Sequence, residues 1–256
     1  MASERSGRHL RSQPKYQRIA AELKAAIERG EYGPGDRLPG ENDLMARHQV
    51  ARMTARQALG VLQSEGLVEA RKGAGVFVRE FRPVRRRGTS RLSGATWGAG
   101  HSVWSTETEG RDLVVDATSV TEEEPPAVVA RILGLAEGVP ACVRRRRFVL
   151  DGRPVLVATS YLDAALVSGT PITESDTGPG GIYARLGDIG HRPVRFREEV
   201  RSRMPGAAET EHLRLLPGTP VMLIRRTAVT ATGRAVEVND MILDASAYIL
   251  EYDIDA

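Results

Sequence analysis

The chain has 256 residues, enough for two domains of ordinary size; 41% are apolar, and no apolar run reaches membrane-crossing length. One cysteine, Cys142, excludes an intrachain disulfide and a cysteine-based metal site, and the polar start MASERSGRHLRSQ lacks the apolar segment of a secretory signal, so a reducing cytoplasm is expected. The net charge of +3 hides an asymmetry: residues 1–80 carry 14 Lys+Arg against 10 Asp+Glu, 81–95 carry five Arg and no acid, and 96–256 carry 17 against 23.

Pro14 opens a predicted helix that runs to Arg29, with Tyr16, Ile19, Ala20, Leu23, Ala26 and Ile27 as its apolar face. Gly30, Gly33, Pro34 and Gly35 stop it. Asn42 to His48 reads as a short polar helix with Leu44 and Met45 inward, Gln49-Val50-Ala51 as a turn, and Arg52 to Glu65 as a second helix. Its Ala55, Leu59 and Leu62 fall at i, i+4 and i+7 and form a buried stripe, leaving Arg52, Arg56, Gln57 and Gln63 outside. Gly66 ends that helix. Leu67-Val68 and Val76-Phe77-Val78 read as strands around Arg71-Lys72-Gly73-Ala74-Gly75, a turn with two glycines and two cations. A helix with an apolar back and a basic, amide-bearing front suits a major groove, and a small basic hairpin tip suits a phosphate backbone or a minor groove.

Leu38-Pro39-x-Glu41, Val50-x-Arg52-Met53-Thr54-x-Arg56-Gln57-Ala58-Leu59, Glu65-Gly66-Leu67 and Gly73-x-Gly75-x-Phe77-Val78 together resemble the GntR-family winged helix-turn-helix. The resemblance runs over the whole domain. It implies DNA contacts by Arg52, Thr54 and Arg56 and places Gly73 near the minor groove; Glu41, Asn42, Met53, Gln57 and Lys72 complete the candidate DNA-binding set. The family usually has Arg where this chain has Asn42; an Asn amide reads adenine, so a different half-site is expected.

Phe81 to Gly100 mixes Arg, Gly, Ser and Thr and reads as a flexible linker between domains at 1–80 and 101–256. Its Arg85-Arg86-Arg87 run either adds non-specific phosphate contacts or only keeps the linker solvated. Beyond it, strands are expected at Leu113–Val120, Ala141–Leu150, Val155–Tyr161, Arg195–Arg203, Val221–Thr230, Ala235–Leu243 and Ala247–Tyr252, with helices at Pro126–Leu133, Ile182–Leu186 and Ala207–Leu213. Hairpins turn at Asp151-Gly152 and Thr232-Gly233. The fold class is α+β: a winged helix-turn-helix joined to an antiparallel sheet domain.

This half also carries a resemblance. Arg146, Asp151-Gly152-x-Pro154-Val155, Ser160-Tyr161-Leu162, Ile182-Tyr183-x-x-Leu186, Leu215-x-x-Gly218-x-Pro220-Val221, Arg225 and Gly233-x-x-Val236-Glu237 are similar to the UTRA effector domain of the HutC branch, which has the chorismate-lyase fold. The resemblance implies a ligand cavity at the sheet, a homodimer formed through this domain, an anion-binding role for Arg146 and a polar cavity position for Glu237. Gly180-Gly181 matches the ligand loop and leads into a helix, where backbone amides favour an anion. Arg144 shares a strand face with Arg146 and Arg145 with Arg147, so one pair looks into the cavity and the other to solvent or a partner. Ser160 and Tyr183 serve equally as ligand hydroxyls or as a strand hydroxyl and a core aromatic. Phosphosugar sensors of the branch carry polar residues where this chain has Phe148, Ala158 and Leu243, so the expected effector has an acidic or carbonyl-bearing end and an apolar body.

An enzyme is the competing class, but His101, His191 and His212 are scattered without metal spacing, and no nucleophile sits beside a base. No catalytic residue, metal or cofactor is therefore expected. The expected function is a transcription regulator, a repressor released from an inverted-repeat operator of double-stranded DNA by a small-molecule effector, with no membrane partner; an effector-independent plasmid-maintenance or architectural protein is the alternative.

Overall fold

The computed structural model describes residues 13–80, 83–87, 92 and 111–252. Two compact units emerge, divided between residues 82 and 83, with the short turn 216–219 grouped with the first. In the first, α1 (Lys15–Glu28), α2 (Glu41–His48) and α3 (Arg52–Ser64) precede an antiparallel hairpin, β1 (Val68–Arg71) and β2 (Gly75–Val78). Asp43 caps α2 by accepting the Gly40 amide at 3.0 Å, and Gln49 takes the left-handed conformation (φ 52°) that closes it. Ile19, Ala20, Leu23, Leu38, Leu44, Ala55, Ala58, Leu59, Leu62, Val68 and Val78 form the core, which includes the stripe expected from spacing. Gly75 suits its place because its φ is +123°, a backbone conformation that side chains with a Cβ rarely adopt.

The second unit is a six-stranded antiparallel sheet in the order β4-β5-β6-β9-β8-β7, with a separate parallel pair, β3 and β10. The strands are β3 (Val84–Arg87), β4 (Leu113–Glu123), β5 (Ala141–Leu150), β6 (Arg153–Asp163), β7 (Pro193–Arg203), β8 (Val221–Thr230), β9 (Ala235–Asp244) and β10 (Tyr248–Glu251). The helices are α4 (Ala127–Leu133), α5 (Ala164–Val167), α6 (Gly181–Asp188) and α7 (Ala207–His212), with a 3-10 turn at Pro171–Thr173. The sheet is built of two strand–helix–hairpin halves about 80 residues apart: Leu113, Ala127 and Ala141 open elements matched by those opening at Pro193, Ala207 and Val221. The halves meet at the β6–β9 pairing. One sheet face packs against α5, the 3-10 turn and α6 through Leu162, Val167, Ile172, Ile182 and Leu186. Farther along the same face, Phe148, Leu156, Ala158, Ile224, Met241 and Leu243 pack against Val84 and Tyr248 of the β3–β10 pair.

Every expected strand and helix of this half is present, most with small shifts of boundary; α5 and the 3-10 turn were not anticipated. One expectation is corrected. Val84–Arg87, read as part of a flexible linker, is a strand in register with Tyr248–Glu251. Its burial alternates, Val84 and Arg86 in and Arg85 and Arg87 out. The inward residue is charged, which disguises the period-2 pattern, and Glu198 offsets that charge at 3.3 Å. Arg85 and Arg87 both reach Glu251, so the arginine run is ion-paired rather than linker solvation. The rest of the expected linker, apart from residues 83 and 92, and His101 lie outside the described residues.

Leu62 is fully buried in the first unit. Leu62→Ala should lower the unfolding free energy of that unit by about 2–5 kcal/mol, as read by urea denaturation.

Candidate DNA-binding and effector sites

The first site is the outer face of α3 with the hairpin tip. Ala55, Ala58, Leu59 and Leu62 fix which face turns inward, so Arg52, Met53, Arg56 and Gln57 are exposed and Thr54 half-exposed. Arg56 Nε donates to Glu41 Oε1 at 2.8 Å, Arg52 NH2 donates to Asn42 Oδ1 at 3.1 Å, and Arg52 Nε lies 3.7 Å from Glu41. The α2 start thus holds both arginine forks side by side, and the guanidinium of Arg56 draws the Glu41 carboxyl below its usual pKa. Asn42 orients Arg52 in this arrangement. At the hairpin tip Lys72 and Gly73 are exposed, Gly73 at φ 75°, while Arg71 stacks over Phe77 with 4.4 Å to the ring centroid. All nine residues named for DNA lie on α2, α3 or this tip.

The second site is a half-open cavity of about 390 Å³ on one face of the sheet, bordered by the loop before α6. Strand register explains its walls. Arg144 pairs with Ser160, Arg146 with Ala158 and Phe148 with Leu156, so these side chains share a face; Ser160 pairs with Asn239, and Asn239 with Arg226. Arg144, Arg146, Phe148, Arg226, Glu237 and Asn239 line the sheet side, while Asp176 to Tyr183 contribute the loop and helix. Arg145 and Arg147 take the opposite face, on Glu123 at 2.7 Å and Asp116 at 2.5 Å. The expected pairwise split of the four arginines is therefore observed, and it is the Arg144–Arg146 pair that looks inward.

The inward arginines do different things. Arg144, 2% exposed, donates to the carbonyls of Ile172 and Glu174 and to that of Ser175 at 3.1 Å, so it holds the loop. Arg146 donates to Ser160 Oγ at 2.6 Å, and its Nε finds no acceptor among the described residues. Ser160 is buried behind Arg146 rather than on the cavity wall. Burial lowers the Arg146 pKa, and Glu237 works against that shift. Glu237 Oε2 and Asn239 Oδ1, in side chains 1% and 2% exposed, are likewise without donors among the described residues. Arg226 donates from Nε to Glu198 Oε1 at 2.8 Å and from NH1 to the Tyr183 hydroxyl at 3.4 Å. Burial opposes charge on Arg226, but Tyr183 and Glu198 outweigh it and raise its pKa; burial, then Glu237, raises that of Tyr183. The Tyr183 ring also packs on Phe196, 5.0 Å between centroids, so it is a core aromatic that also lines the cavity.

Three expectations change at this site. The Gly181 amide already donates to the Gly178 carbonyl at 3.1 Å, so the glycine pair supplies left-handed backbone (φ 79° and 66°) rather than an open Gly181 amide. Ala158 and Leu243 belong to the core beside the β3–β10 pair, so only Phe148 of the three apolar substitutions reaches the cavity. Arg226 and Asn239 were missed. Arg225, the residue quoted from the resemblance, points to the other face and holds Asp240 at 2.7 Å. A signal existed: Leu135-x-x-Gly138-x-Pro140 recurs as Leu215-x-x-Gly218-x-Pro220, which aligns Arg146 with Arg226.

No described helix is long and apolar enough to cross a membrane, and no group of three or more described His, Cys, Asp or Glu residues could hold a metal. Arg144→Met should leave three loop carbonyls without their donor, lowering stability by about 2–4 kcal/mol in a denaturant melt and speeding proteolysis at 172–181.

Comparison with known proteins agrees with this arrangement. Residues 15–78 match the family of bacterial regulatory proteins, gntR family, and residues 108–249 match the UTRA domain. An HTH-type transcriptional regulator of Streptomyces coelicolor, SCO4628, is 32% identical over 94% of this chain and 92% of its own length. The HTH-type transcriptional repressor NagR of Bacillus subtilis is 28% identical over 94% and 95%. A crystal structure of a protein assigned to the GntR-family transcriptional regulators covers 95% of this chain and 98% of its own, with a TM-score of 0.66 and 29% identity. PhnF from Mycobacterium smegmatis shares the fold at a TM-score of 0.55 and 23% identity, over 93% and 99% of the two chains. The chain belongs to the GntR family and carries a UTRA domain; it is a DNA-binding transcriptional regulator with a small-molecule effector domain, not an enzyme.

Proposed function

We propose that this GntR-family regulator is a cytoplasmic, homodimeric repressor of the HutC branch, which reads an inverted repeat and is released by a small acidic effector. The observation that carries the reading is the cavity, where a buried guanidinium nitrogen of Arg146 and two buried acceptors line one space without partners among the described residues. Unmet buried polar groups are costly unless something completes them, and a ligand is the economical candidate. This favours a sensor over an effector-independent DNA-binding protein. Arg146 suits a carboxylate or phosphate, whereas Glu237 Oε2 and Asn239 Oδ1 call for hydroxyl or amino donors. The effector is therefore an acid with donor groups on its body, more polar than the sequence suggested, with Phe148 and Ile182 as its apolar contacts.

On the DNA side, Arg52, Thr54, Arg56 and Gln57 face base edges and phosphates of a major groove, Glu41 and Asn42 hold the arginine forks, and Lys72-Gly73 lies at the flanking groove. A two-fold dimer presents two such faces to two equivalent half-sites.

Arg52→Ala and Arg56→Ala should each weaken specific binding by about 1–3 kcal/mol, and footprints equal to the unaltered protein's would remove this assignment. Segment 83–256, which keeps β3, should sediment as a dimer at micromolar concentration; a folded monomer would count against dimerisation through it. Arg146→Ala should melt near the unaltered protein, keep operator binding and lose release by the inducer. A variant that still releases DNA would place Arg146 outside the site.

A further inference from the structure

One carboxylate oxygen lies between the cavity and the strand that opens the second unit. Glu198 Oε1 accepts from cavity-lining Arg226 at 2.8 Å and from Arg86 of β3 at 3.3 Å. Arg86 is 1% exposed and its NH2 also rests on Met241 Sδ at 3.4 Å, so β3 is fastened to the sheet through this side chain. Its neighbours Arg85 and Arg87 reach the outer Glu251 of β10. The first described element after the division at residue 82 is thus tied, through one acceptor, to a wall of the cavity.

We propose that Glu198 is a positioning residue that couples occupation of the cavity to the hold on β3, and through β3 to the segment joining the two units. The proposal rests on the cavity being the effector site. Its logic is competition. Two guanidinium groups share Oε1, and the shorter contact shows Arg226 holding it more closely than Arg86 does. An acid in the cavity gives Arg226 a second anion to face. Its claim on Glu198 weakens, the repulsion between the two guanidinium groups is offset, and Glu198 moves towards Arg86. β3 then tightens when the cavity fills. Because coupling is reciprocal, tightening β3 also favours filling. Tyr183 gives the device a second handle, since it receives Arg226 from the ligand-loop helix.

Amide hydrogen exchange of the full chain tests this, read on peptides covering 84–87 and 180–186. The cavity probe is inorganic phosphate, compared with chloride at matched ionic strength. Phosphate should slow exchange by about fivefold at both segments of the unaltered protein. In Glu198→Gln it should slow only 180–186, and 84–87 should exchange faster than in the unaltered protein even without phosphate. Arg226→Met should slow 84–87 without phosphate, because Glu198 is left to Arg86; loss of stability alone would give the opposite sign. Arg225→Met, on the same strand but held by Asp240 on the other face, should behave as the unaltered protein does. Protection at 180–186 with no change at 84–87 overturns the coupling and leaves the effector reading standing. Absence of protection at both segments overturns the cavity as an acid site, and the phosphate-free variants then decide the link: unchanged 84–87 exchange in both Glu198→Gln and Arg226→Met overturns it, and opposite shifts sustain it.

Discussion

Burying arginine on one face of a sheet is the constraint around which the effector domain is arranged. Arg86, Arg144 and Arg226 are each 2% exposed or less. A guanidinium in that position is tolerated only where acceptors meet it. Arg144 is met by three carbonyls of the loop before α6, which thereby becomes a fixed wall. Arg226 and Arg86 are met by Glu198, which ties β8 and β3 to the edge strand β7. At the cavity, Arg146 Nε and Glu237 Oε2 both lack partners among the described residues. Where an apolar face would have packed shut, unmatched charge favours a space that a polar molecule can complete.

Most of the fold was legible because hydrophobic period and turn chemistry agreed. Ala55, Leu59 and Leu62 fixed the orientation of α3, and Asp151-Gly152 takes the positive φ angles, 48° and 78°, that its hairpin turn needs. The elements that escaped notice lacked such agreement. Val84–Arg87 reads as a charge run because its inward position is an arginine, and the distant Glu198 and Met241 help make that tolerable. The four-residue α5 is too short to show a helical period, and it is started by Asp163 accepting the Ala165 amide at 3.1 Å.

The candidate sites divide in the same way. On the DNA side every named residue falls on α2, α3 or the hairpin tip, elements local in sequence whose exposed faces spacing alone assigns. The effector cavity is non-local. Strand alternation placed Arg144 and Arg146 on one face, yet it could not say that Ser160 stands behind Arg146, or that Ala158 and Leu243 lie under the β3–β10 pair. Those facts depend on which element covers which part of the sheet.

The duplicated halves explain the remaining omission and show how one architecture yields unequal roles. Arg146 and Arg226 occupy matching positions on β5 and β8, and both face the cavity. What differs is the strand beside each. Thr118 lies opposite Arg146 on the edge strand β4, whereas Glu198 lies opposite Arg226 on the edge strand β7. A threonine leaves its neighbouring guanidinium with capacity for a ligand, and a glutamate occupies its own. Near-symmetric backbones therefore hold one arginine whose Nε lacks an acceptor among the described residues and one held by a carboxylate. That asymmetry follows from side-chain differences between neighbouring strands, Thr118 and Ala158 beside Arg146 against Glu198 and Asn239 beside Arg226.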